Sequence, residues 1–238
     1  MIEARHLYKS FNGQPVLEDI NLRVKEGEIL VILGESGTGK SVLLKHMIGL
    51  LKPDRGSVLI EAKDITKMSE RELLGLRKDI GYLFQEGALY DFMNVFENIA
   101  FPLREHTAFD GKTIREKVRN ILNLIGLEGI EEKYPVELSG GMKKRVALAR
   151  ATILDSKILL CDEPTSGLDP LRGRDISDLI RDVARKLRCT TVLTSHDIQN
   201  SLRIADRLAL LRNGRIAAMG TASEFKASSN VFVKEFIS

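Results

Sequence analysis

Eight consecutive residues carry the strongest chemical signal in this sequence. Residues 34–41 read GESGTGKS, which places three glycines ahead of a lysine and a serine. The glycines let the main chain fold around an anion, so that successive N–H groups point at it. Lys40 adds a positive charge for the outer phosphates of a nucleotide, and Ser41 offers a hydroxyl to Mg²⁺. The predicted phosphate-binding loop consists of Gly34, Glu35, Ser36, Gly37, Thr38, Gly39, Lys40, Ser41 and the following Val42.

The segments on either side of this loop are those that a phosphate-binding loop requires. Residues 29–33 are uniformly apolar, which is typical of a short buried strand. Residues 42–48 carry apolar side chains at helical spacing. A helix that begins at the loop aims its unpaired N–H groups and the positive end of its dipole at the bound anion. The alternative, a flexible turn with one solvated lysine, needs neither flanking segment.

Three more residues that could act on a phosphate follow apolar strands. Asp162 and Glu163 come directly after 158–161, and His196 comes shortly after 190–194. The carboxyl ends of parallel strands lie at one edge of an α/β sheet, where ligands bind. Adjacent carboxylates at the end of a buried strand are costly unless they hold a metal ion or a water molecule. We therefore predict that Asp162 binds Mg²⁺, that Glu163 activates the attacking water, and that His196 lies at the same edge.

A second helix start also has the features of an anion site. Ser139 is a good N-cap for a helix that continues to about residue 151. Gly140 and Gly141, in its first turn, allow an anion to approach the backbone closely. An ordinary capped helix would show the same residues, so this segment taken alone leaves both interpretations open.

Composition and charge limit what the chain can do. Its 238 residues, 43% of them hydrophobic, suffice for one large α/β domain. The 36 basic residues nearly balance the 33 acidic ones, and a net charge of +3 does not favour a nucleic-acid partner. No stretch approaches about 18 consecutive apolar residues, and the N-terminus lacks the apolar core of a secretory signal. Cys161 and Cys189 lie in apolar surroundings and are expected to be buried free thiols of a reducing compartment.

Alternating and turn residues predict a second, smaller sheet. Apolar and polar residues alternate in 2–8 and 16–24, with Asn12-Gly13 between them, which indicates antiparallel strands joined by a turn. Phe11 is placed on that turn. A further strand at 57–61 would join this antiparallel sheet beside the phosphate-binding core.

The middle of the chain changes to helical patterns. Between 86 and 137 the apolar residues follow amphipathic helices, chiefly 95–103 and 114–125, which predicts a helical lobe. We therefore expect a single α/β domain over 1–238 with a P-loop NTPase core. A mainly parallel sheet with flanking helices, together with the antiparallel β subdomain, would occupy 1–85 and 138–238, and the lobe would occupy 86–137.

Taken together, these motifs resemble those of the ATP-binding subunits of ABC transporters over essentially the whole chain. An LSGG segment placed ahead of the acidic strand by this interval is diagnostic, since other P-loop ATPases lack it. The corresponding segments are GESGTGKS at 34–41 (Walker A), Gln85 (Q-loop), LSGGM at 138–142 (signature motif), ILLCDE at 158–163 (Walker B), SGLD at 166–169 (D-loop), His196 (switch histidine) and Phe11 (the aromatic residue that stacks on adenine).

The resemblance implies more than the residues alone. It implies ATP and Mg²⁺ as ligands, a RecA-like core, and Gln85 and His196 around the γ-phosphate, with Gln85 also near the metal. It further implies a head-to-tail dimer, most simply a homodimer, in which Ser139, Gly140 and Gly141 of one subunit face the phosphate held by the other. The same family places its ATPase subunits on the cytoplasmic side of the inner membrane, beneath a separate integral membrane permease.

A finer resemblance concerns the transported substrate. Residues 84–107 are similar to the same stretch in ATPases of Mce/Mla-type lipid transporters, and Met142-Lys143-Lys144-Arg145 agrees with that branch. Lipid transport, with a lipid-binding Mce-domain protein as a further possible partner, is therefore the expected function. An importer of small polar solutes such as amino acids is the alternative, because it would use the same ATPase chemistry. A soluble ATPase of DNA repair or translation would need a coiled-coil insertion or a second ATPase domain.

Overall fold

The computed structural model describes residues 1–237 as two sheets with helices around them. The strands are β1 (Ile2–Phe11), β2 (Gln14–Val24), β3 (Ile29–Leu33), β4 (Arg55–Ile60), β5 (Lys63–Asp64), β6 (Ile80–Leu83), β7 (Ile158–Cys161), β8 (Thr190–Ser195), β9 (Arg207–Arg212) and β10 (Arg215–Gly220). The helices are α1 (Lys40–Met47), α2 (Glu70–Arg77), α3 (Val95–His106), α4 (Gly111–Leu124), α5 (Gly140–Thr152), α6 (Pro170–Leu187), α7 (Ile198–Ile204), α8 (Ala222–Lys226) and α9 (Val231–Ile237).

The larger sheet has the strand order β10-β9-β3-β8-β7-β6. Its strands pair in parallel except for the edge hairpin β9–β10. Strand β3 is buried throughout, as a strand covered on both faces must be. Leu30 and Ile32 point into one core with α1 and the smaller sheet, while Ile29, Val31 and Leu33 point into another with α6. The predicted α/β class with a mainly parallel sheet is confirmed.

The smaller sheet is antiparallel, with the order β2-β1-β4-β5, as predicted. Asn12 and Gly13 have φ angles of 51° and 78°, so the predicted turn between β1 and β2 has both central residues in the left-handed region. Phe11 does not lie on that turn: it is the last residue of β1 and pairs with Gln14. The pairing extends this far because a two-residue turn lets the strands stay in register up to its edge.

The helical lobe is built from α3 and α4 and packs on α5. Its hydrophobic cluster includes Val146 and Ala149 of α5, so this helix belongs to the packing of both lobe and core. Helix α4 begins at Gly111, earlier than predicted, because the side chain of Asp110 caps it by accepting from the N–H of Thr113 at 2.9 Å. Helix α3 continues past Pro102 to His106, beyond its predicted end.

Both cysteines lie in the hydrophobic core of the domain. Cys161 and Cys189 are both buried and unpaired, as predicted. In the part of the chain from 1 to 237, no helix is both long enough and apolar enough to cross a membrane.

Helices α7 and α8 are short and were not predicted, because neither is long enough to show a helical pattern of apolar residues.

Candidate active site

The site is built at the carboxyl end of β3, where the chain turns into α1. Gly39 is the N-cap of α1 and has a φ of 98°, a conformation that favours glycine. Gly34 is required for a different reason: a Cβ there would lie 2.6 Å from the carbonyl oxygen of Leu211 and 2.8 Å from the Thr38 hydroxyl. The residue types at 34 and 39 therefore follow from close packing and backbone conformation.

Lys40 lies folded over this loop and is only 3% exposed. Its Nζ donates to the carbonyl oxygens of Gly34 at 2.9 Å and Glu35 at 2.8 Å. It also lies 3.0 Å from Oε1 of Glu163, which comes from the end of a different strand. The ammonium group is therefore paired and held at the mouth of the loop, where an anion would meet it.

Asp162 and Ser41 place two oxygen donors side by side. The Ser41 hydroxyl donates to Oδ1 of Asp162 at 2.8 Å, and Asp162 is 6% exposed. The Thr194 hydroxyl also donates to Oδ1 at 2.8 Å, and the Tyr82 hydroxyl lies 3.4 Å from Oδ2. A hydroxyl and one carboxylate fit Mg²⁺, which usually keeps several waters and takes its other ligands from phosphates. No cluster of three or more acidic, histidine or cysteine side chains suited to a metal occurs among the described residues.

Glu163 is held by three neighbours. Its main-chain N–H donates to the Thr194 hydroxyl at 2.9 Å, while Oε1 contacts Lys40 and Oε2 lies 3.2 Å from Nδ1 of His196. Burial by itself would raise the pKa of this carboxyl, but the hydrogen bond and charge of Lys40, with a smaller effect of His196, hold the pKa below its ordinary value. Its φ of 42° is unusual for a non-glycine residue, which is a strain that is common at functional sites.

Thr194 was not predicted as a functional residue, although it joins the two carboxylate residues. It is fully buried in β8, accepts from the N–H of Glu163 and donates to the carboxylate of Asp162. The parallel register places Leu193 beside Cys161, so Thr194 falls next to Asp162. A threonine at the carboxyl end of an apolar strand, next to the strand that Asp162 follows, is a sequence signal from which the role of Thr194 could have been predicted.

The other residues expected at the site lie apart from this cluster. The Gln85 side chain is exposed, and its Nε2 donates to the hydroxyl of Ser166 at 3.3 Å. Phe11 is 42% exposed at the end of β1, with the Nζ of Lys9 5.4 Å from its ring centre. Within residues 1–237, no hydrogen bond joins the Gln85 side chain to Ser41 or Asp162.

The start of helix α5, the second candidate anion site, is exposed. Ser139 caps α5 by accepting from the N–H of Met142 at 3.3 Å. Gly140 is exposed, and a Cβ at Gly141 would meet nothing within 4 Å. Among the described residues no hydrogen bond joins Ser139 to the loop at 34–41. A single chain therefore contains two candidate anion sites that it does not bring together.

Comparison with known proteins agrees on one family. The family model described as "ABC transporter" matches residues 17–166. The chain is 44% identical over 236 residues to the probable ribonucleotide transport ATP-binding protein mkl of Mycobacterium leprae, covering 99% of this chain and 68% of that protein. It spans 66% of the length of the Mycobacterium tuberculosis counterpart.

Two further relatives carry other transport names. The intermembrane phospholipid transport system ATP-binding protein MlaF of Haemophilus influenzae is 39% identical, covering 100% of this chain and 90% of that protein. The methionine import ATP-binding protein MetN of Clostridium tetani is 42% identical, covering 94% of this chain and 70% of that protein.

A solved structure extends the likeness to three dimensions. A dimeric ATP-binding cassette in a post-hydrolysis state, bound to ADP and phosphate, superposes with a TM-score of 0.85 at 31% identity. The match covers 93% of this chain and 99% of that one.

Proposed function

Because the chain belongs to the ABC transporter family and has the fold of its ATP-binding, ATP-hydrolysing cassette, we propose that it drives lipid transport through a separate permease. The observation that carries the ATPase proposal is the cluster at the ends of three parallel strands. Lys40 and Ser41 follow β3, Asp162 and Glu163 follow β7, and His196 follows β8. These are the groups that phosphoryl transfer to water requires, and each lies within hydrogen-bond distance of at least one of the others.

Each residue would have one task in hydrolysis. Lys40 and the N–H groups of 34–41 would hold the phosphates, while Ser41 and Asp162 would hold Mg²⁺, which neutralises charge that develops on the phosphate oxygens. Glu163, kept ionised by its neighbours, would orient and polarise the attacking water. His196 would fix the Glu163 carboxylate through its 3.2 Å contact.

Three other groups of the proposed site lie on exposed surfaces of the single chain and would reach the nucleotide only in the assembled or nucleotide-bound protein. In a head-to-tail dimer, Ser139, Gly140 and Gly141 would meet the phosphate bound by the partner's loop, and the dimeric relative supports such an assembly. Gln85 would approach the γ-phosphate and the metal after it moves from Ser166. Phe11, exposed at the end of β1, would stack on the adenine ring.

The permease is proposed to dock beside the loop at 84–92. Phe84, Tyr90 and Phe92 expose 40%, 39% and 75% of their surface. Phe84 and Tyr90 border a groove of about 230 Å³ between β6 and α3, which is also lined by Phe101 and Arg150. A helix of the permease with apolar and acidic side chains fits such a groove. The chain would then sit on the cytoplasmic side of the membrane, and the lobe at 86–137 would carry the motion to the permease.

Lipid as the substrate is supported by the likeness to MlaF over the entire chain and by the sequence of 84–107. A lipid-binding Mce-domain protein would be a further partner of the assembly. The likeness to MetN favours a second candidate, an importer of a small polar solute such as an amino acid.

One reconstitution separates the two candidates. The chain would be co-purified with its permease and placed in liposomes that contain a fluorescent phospholipid or a radiolabelled amino acid. ATP-dependent movement of the phospholipid, absent with Glu163→Gln, supports lipid transport. ATP-dependent uptake of the amino acid without phospholipid movement contradicts it.

A further inference from the structure

Helix α5 contacts the loop after β6 through two cationic side chains that bind main-chain oxygens. Lys144 is 7% exposed, and its Nζ donates to the carbonyl of Gln85. Arg150 donates through Nη2 to the carbonyls of Gly87 at 2.9 Å and Ala88 at 2.8 Å. Three of four successive carbonyls in the segment 85–88 are thus bound from one helix.

The loop is shaped to present these carbonyls. Gly87 and Ala88 have φ angles of 77° and 49°, so two successive residues lie in the left-handed region. A Cβ at Gly87 would lie 3.3 Å from the Cβ of Ala147, which shows how closely the loop approaches α5. The conformation of Ala88 is unfavourable for a residue with a side chain, so its bond to Arg150 is needed to maintain it.

The hydrogen bonding of the Lys144 ammonium group depends on the Gln85 carbonyl. Within residues 1–237, the Gln85 carbonyl is the one oxygen that accepts a hydrogen bond from its ammonium group. Burial lowers the pKa of Lys144, an effect that the charge of Glu86 partly offsets. A buried cation with a single acceptor is costly unless that bond is kept, so the position of the Gln85 main chain is closely defined.

The same helix also binds the lobe. Arg145 donates to the carbonyl of Ile125 at the end of α4, at 2.7 Å. Arg150 further contacts Oδ1 of the buried Asn98 in α3 at 3.3 Å, and its guanidinium lies 5.4 Å from the Tyr90 ring centre. Helix α5 is therefore joined to the lobe and to the loop by direct hydrogen bonds.

We propose that Lys144 and Arg150 are positioning residues that make the loop bearing Gln85 move together with the helix that begins at Ser139. The proposal rests on the proposed function, in which Gln85 serves one nucleotide and Ser139 serves the nucleotide bound by the partner subunit. Through these two side chains, a shift of α5 that brings Ser139 to one nucleotide also moves Gln85 relative to the other. The two nucleotide sites of the dimer are thereby linked within each chain.

The test compares three variants of the full chain. Lys144→Met keeps the aliphatic stem and removes the ammonium group, Lys144→Arg restores a donor, and Lys143→Met removes the charge of the neighbouring, half-exposed lysine as a control. The first measurement is hydrogen exchange at the amides of Gly87 and Tyr90, which donate to the Phe84 carbonyl at 2.8 Å and the Asn98 side chain at 2.9 Å. The second is the steady-state ATPase rate.

Lys144→Met is expected to speed exchange at both amides about tenfold, because a hydrogen bond from a charged group no longer holds the loop. The kcat should fall about threefold or more while the KM for ATP changes less than about twofold, since the proposed function assigns most of the nucleotide binding to Lys40 and the loop at 34–41. Lys144→Arg should restore both quantities toward the original values, and Lys143→Met should change neither.

Unchanged exchange in a folded Lys144→Met, or a loss of activity that appears in KM alone, overturns the proposal. Should Lys144→Met not fold, the same exchange measurement on Arg150→Lys decides, because lysine cannot make the forked contacts of arginine. Unchanged exchange there also overturns it. If the unmodified chain hydrolyses no ATP, the proposed function fails, whereas the exchange data still report on the tie between α5 and the loop.

Discussion

Lys40 and Glu163 form an ion pair across the candidate active site, with Nζ 3.0 Å from Oε1 and side chains that are 3% and 13% exposed. The lysine follows β3 and the glutamate follows β7, so the pair joins the two strand ends that would hold the phosphates and the attacking water. A γ-phosphate bound by Lys40 would therefore lie beside the carboxylate that polarises the water. Because the two residues have different proposed roles, substituting each in turn should separate nucleotide binding from hydrolysis.

Glu163→Gln should bind ATP almost normally and lose turnover. If Glu163 orients the water without holding nucleotide, kcat should fall about 10²–10⁴-fold, the range for loss of a general base. The variant should accumulate as a closed dimer with bound ATP, whereas Lys40→Ala should lose ATP binding. Fluorescent nucleotide binding and phosphate release measure the two effects, and near-normal hydrolysis by Glu163→Gln would remove this residue from the mechanism.

The stability contribution of Glu163 should depend on pH. Because its folded-state pKa lies below the ordinary value of 4.5, folding favours the ionised form. The resulting stability is fully present above pH 4.5 and is lost as the pH falls through the lowered pKa. Urea unfolding of the unmodified chain and of Glu163→Gln should thus show a difference in free energy of unfolding that shrinks on acidification. Glu26→Gln, at an exposed carboxylate, is the control, and a difference that grows in acid would contradict the assignment.

Thr194→Val should impair both stability and turnover, although it preserves the shape of the side chain. The valine would leave the Glu163 N–H without its acceptor and Asp162 without one donor, at a cost of about 1–3 kcal/mol in free energy of unfolding. Thr194→Ser keeps the hydroxyl and should retain most of the activity. If serine and valine reduce kcat equally, the hydroxyl by itself does not account for the effect, and the role assigned to it is wrong.

The loop at 34–41 of one subunit should hydrolyse ATP only when the helix start at Ser139 of a second subunit completes its site. Purified alone, the chain should show a weak ATPase rate that rises more than linearly with protein concentration. Ser139→Arg should abolish turnover and spare ATP binding, because the arginine would obstruct the partner's phosphate without touching the loop of its own chain. A rate per subunit that stays constant down to nanomolar concentration in a proven monomer would refute a shared site.

Phe92→Glu should separate the chain from its permease. In the structure Val95 is fully buried in the lobe and Leu89 is half-buried, whereas Phe92 is the most exposed of the proposed docking residues. The variant should fold and hydrolyse ATP at its basal rate but no longer co-purify with the membrane partner. Leu50→Glu, at a 49% exposed leucine after α1, is the matched control and should co-purify normally. Retention of the Phe92 variant at the wild-type ratio would make the docking assignment wrong.

Sequence patterns predicted what depends on local periodicity and turn chemistry. The buried strand before Gly34 and the turn at Asn12-Gly13 both appear in the structure, because each is specified by residues close in the chain. The end of α3 was placed too early, at 103, since the remaining residues of the helix, 104–106, are polar and continue no pattern of apolar side chains.

Contacts between distant segments were harder to predict. Thr194 and Glu163 are 31 residues apart, and the hydroxyl that joins them becomes recognisable only when the register of β7 and β8 is known. The binding of the Gln85 carbonyl by Lys144, 59 residues later, is equally invisible to periodicity, because a lysine near a helix start usually indicates a solvated surface.

The burial of the two native cysteines has a practical consequence for spectroscopy. Cys161 and Cys189 are 0% and 1% exposed, and burial raises the pKa of both thiols, that of Cys189 to about 11. Thiol reagents act on the thiolate, so neither residue should take up a maleimide or nitroxide label in the folded chain. A single cysteine introduced at Val136, which is 84% exposed and lies shortly before helix α5, would therefore carry a unique spin label. Electron paramagnetic resonance between two such labels could follow dimer closure without first removing the native thiols.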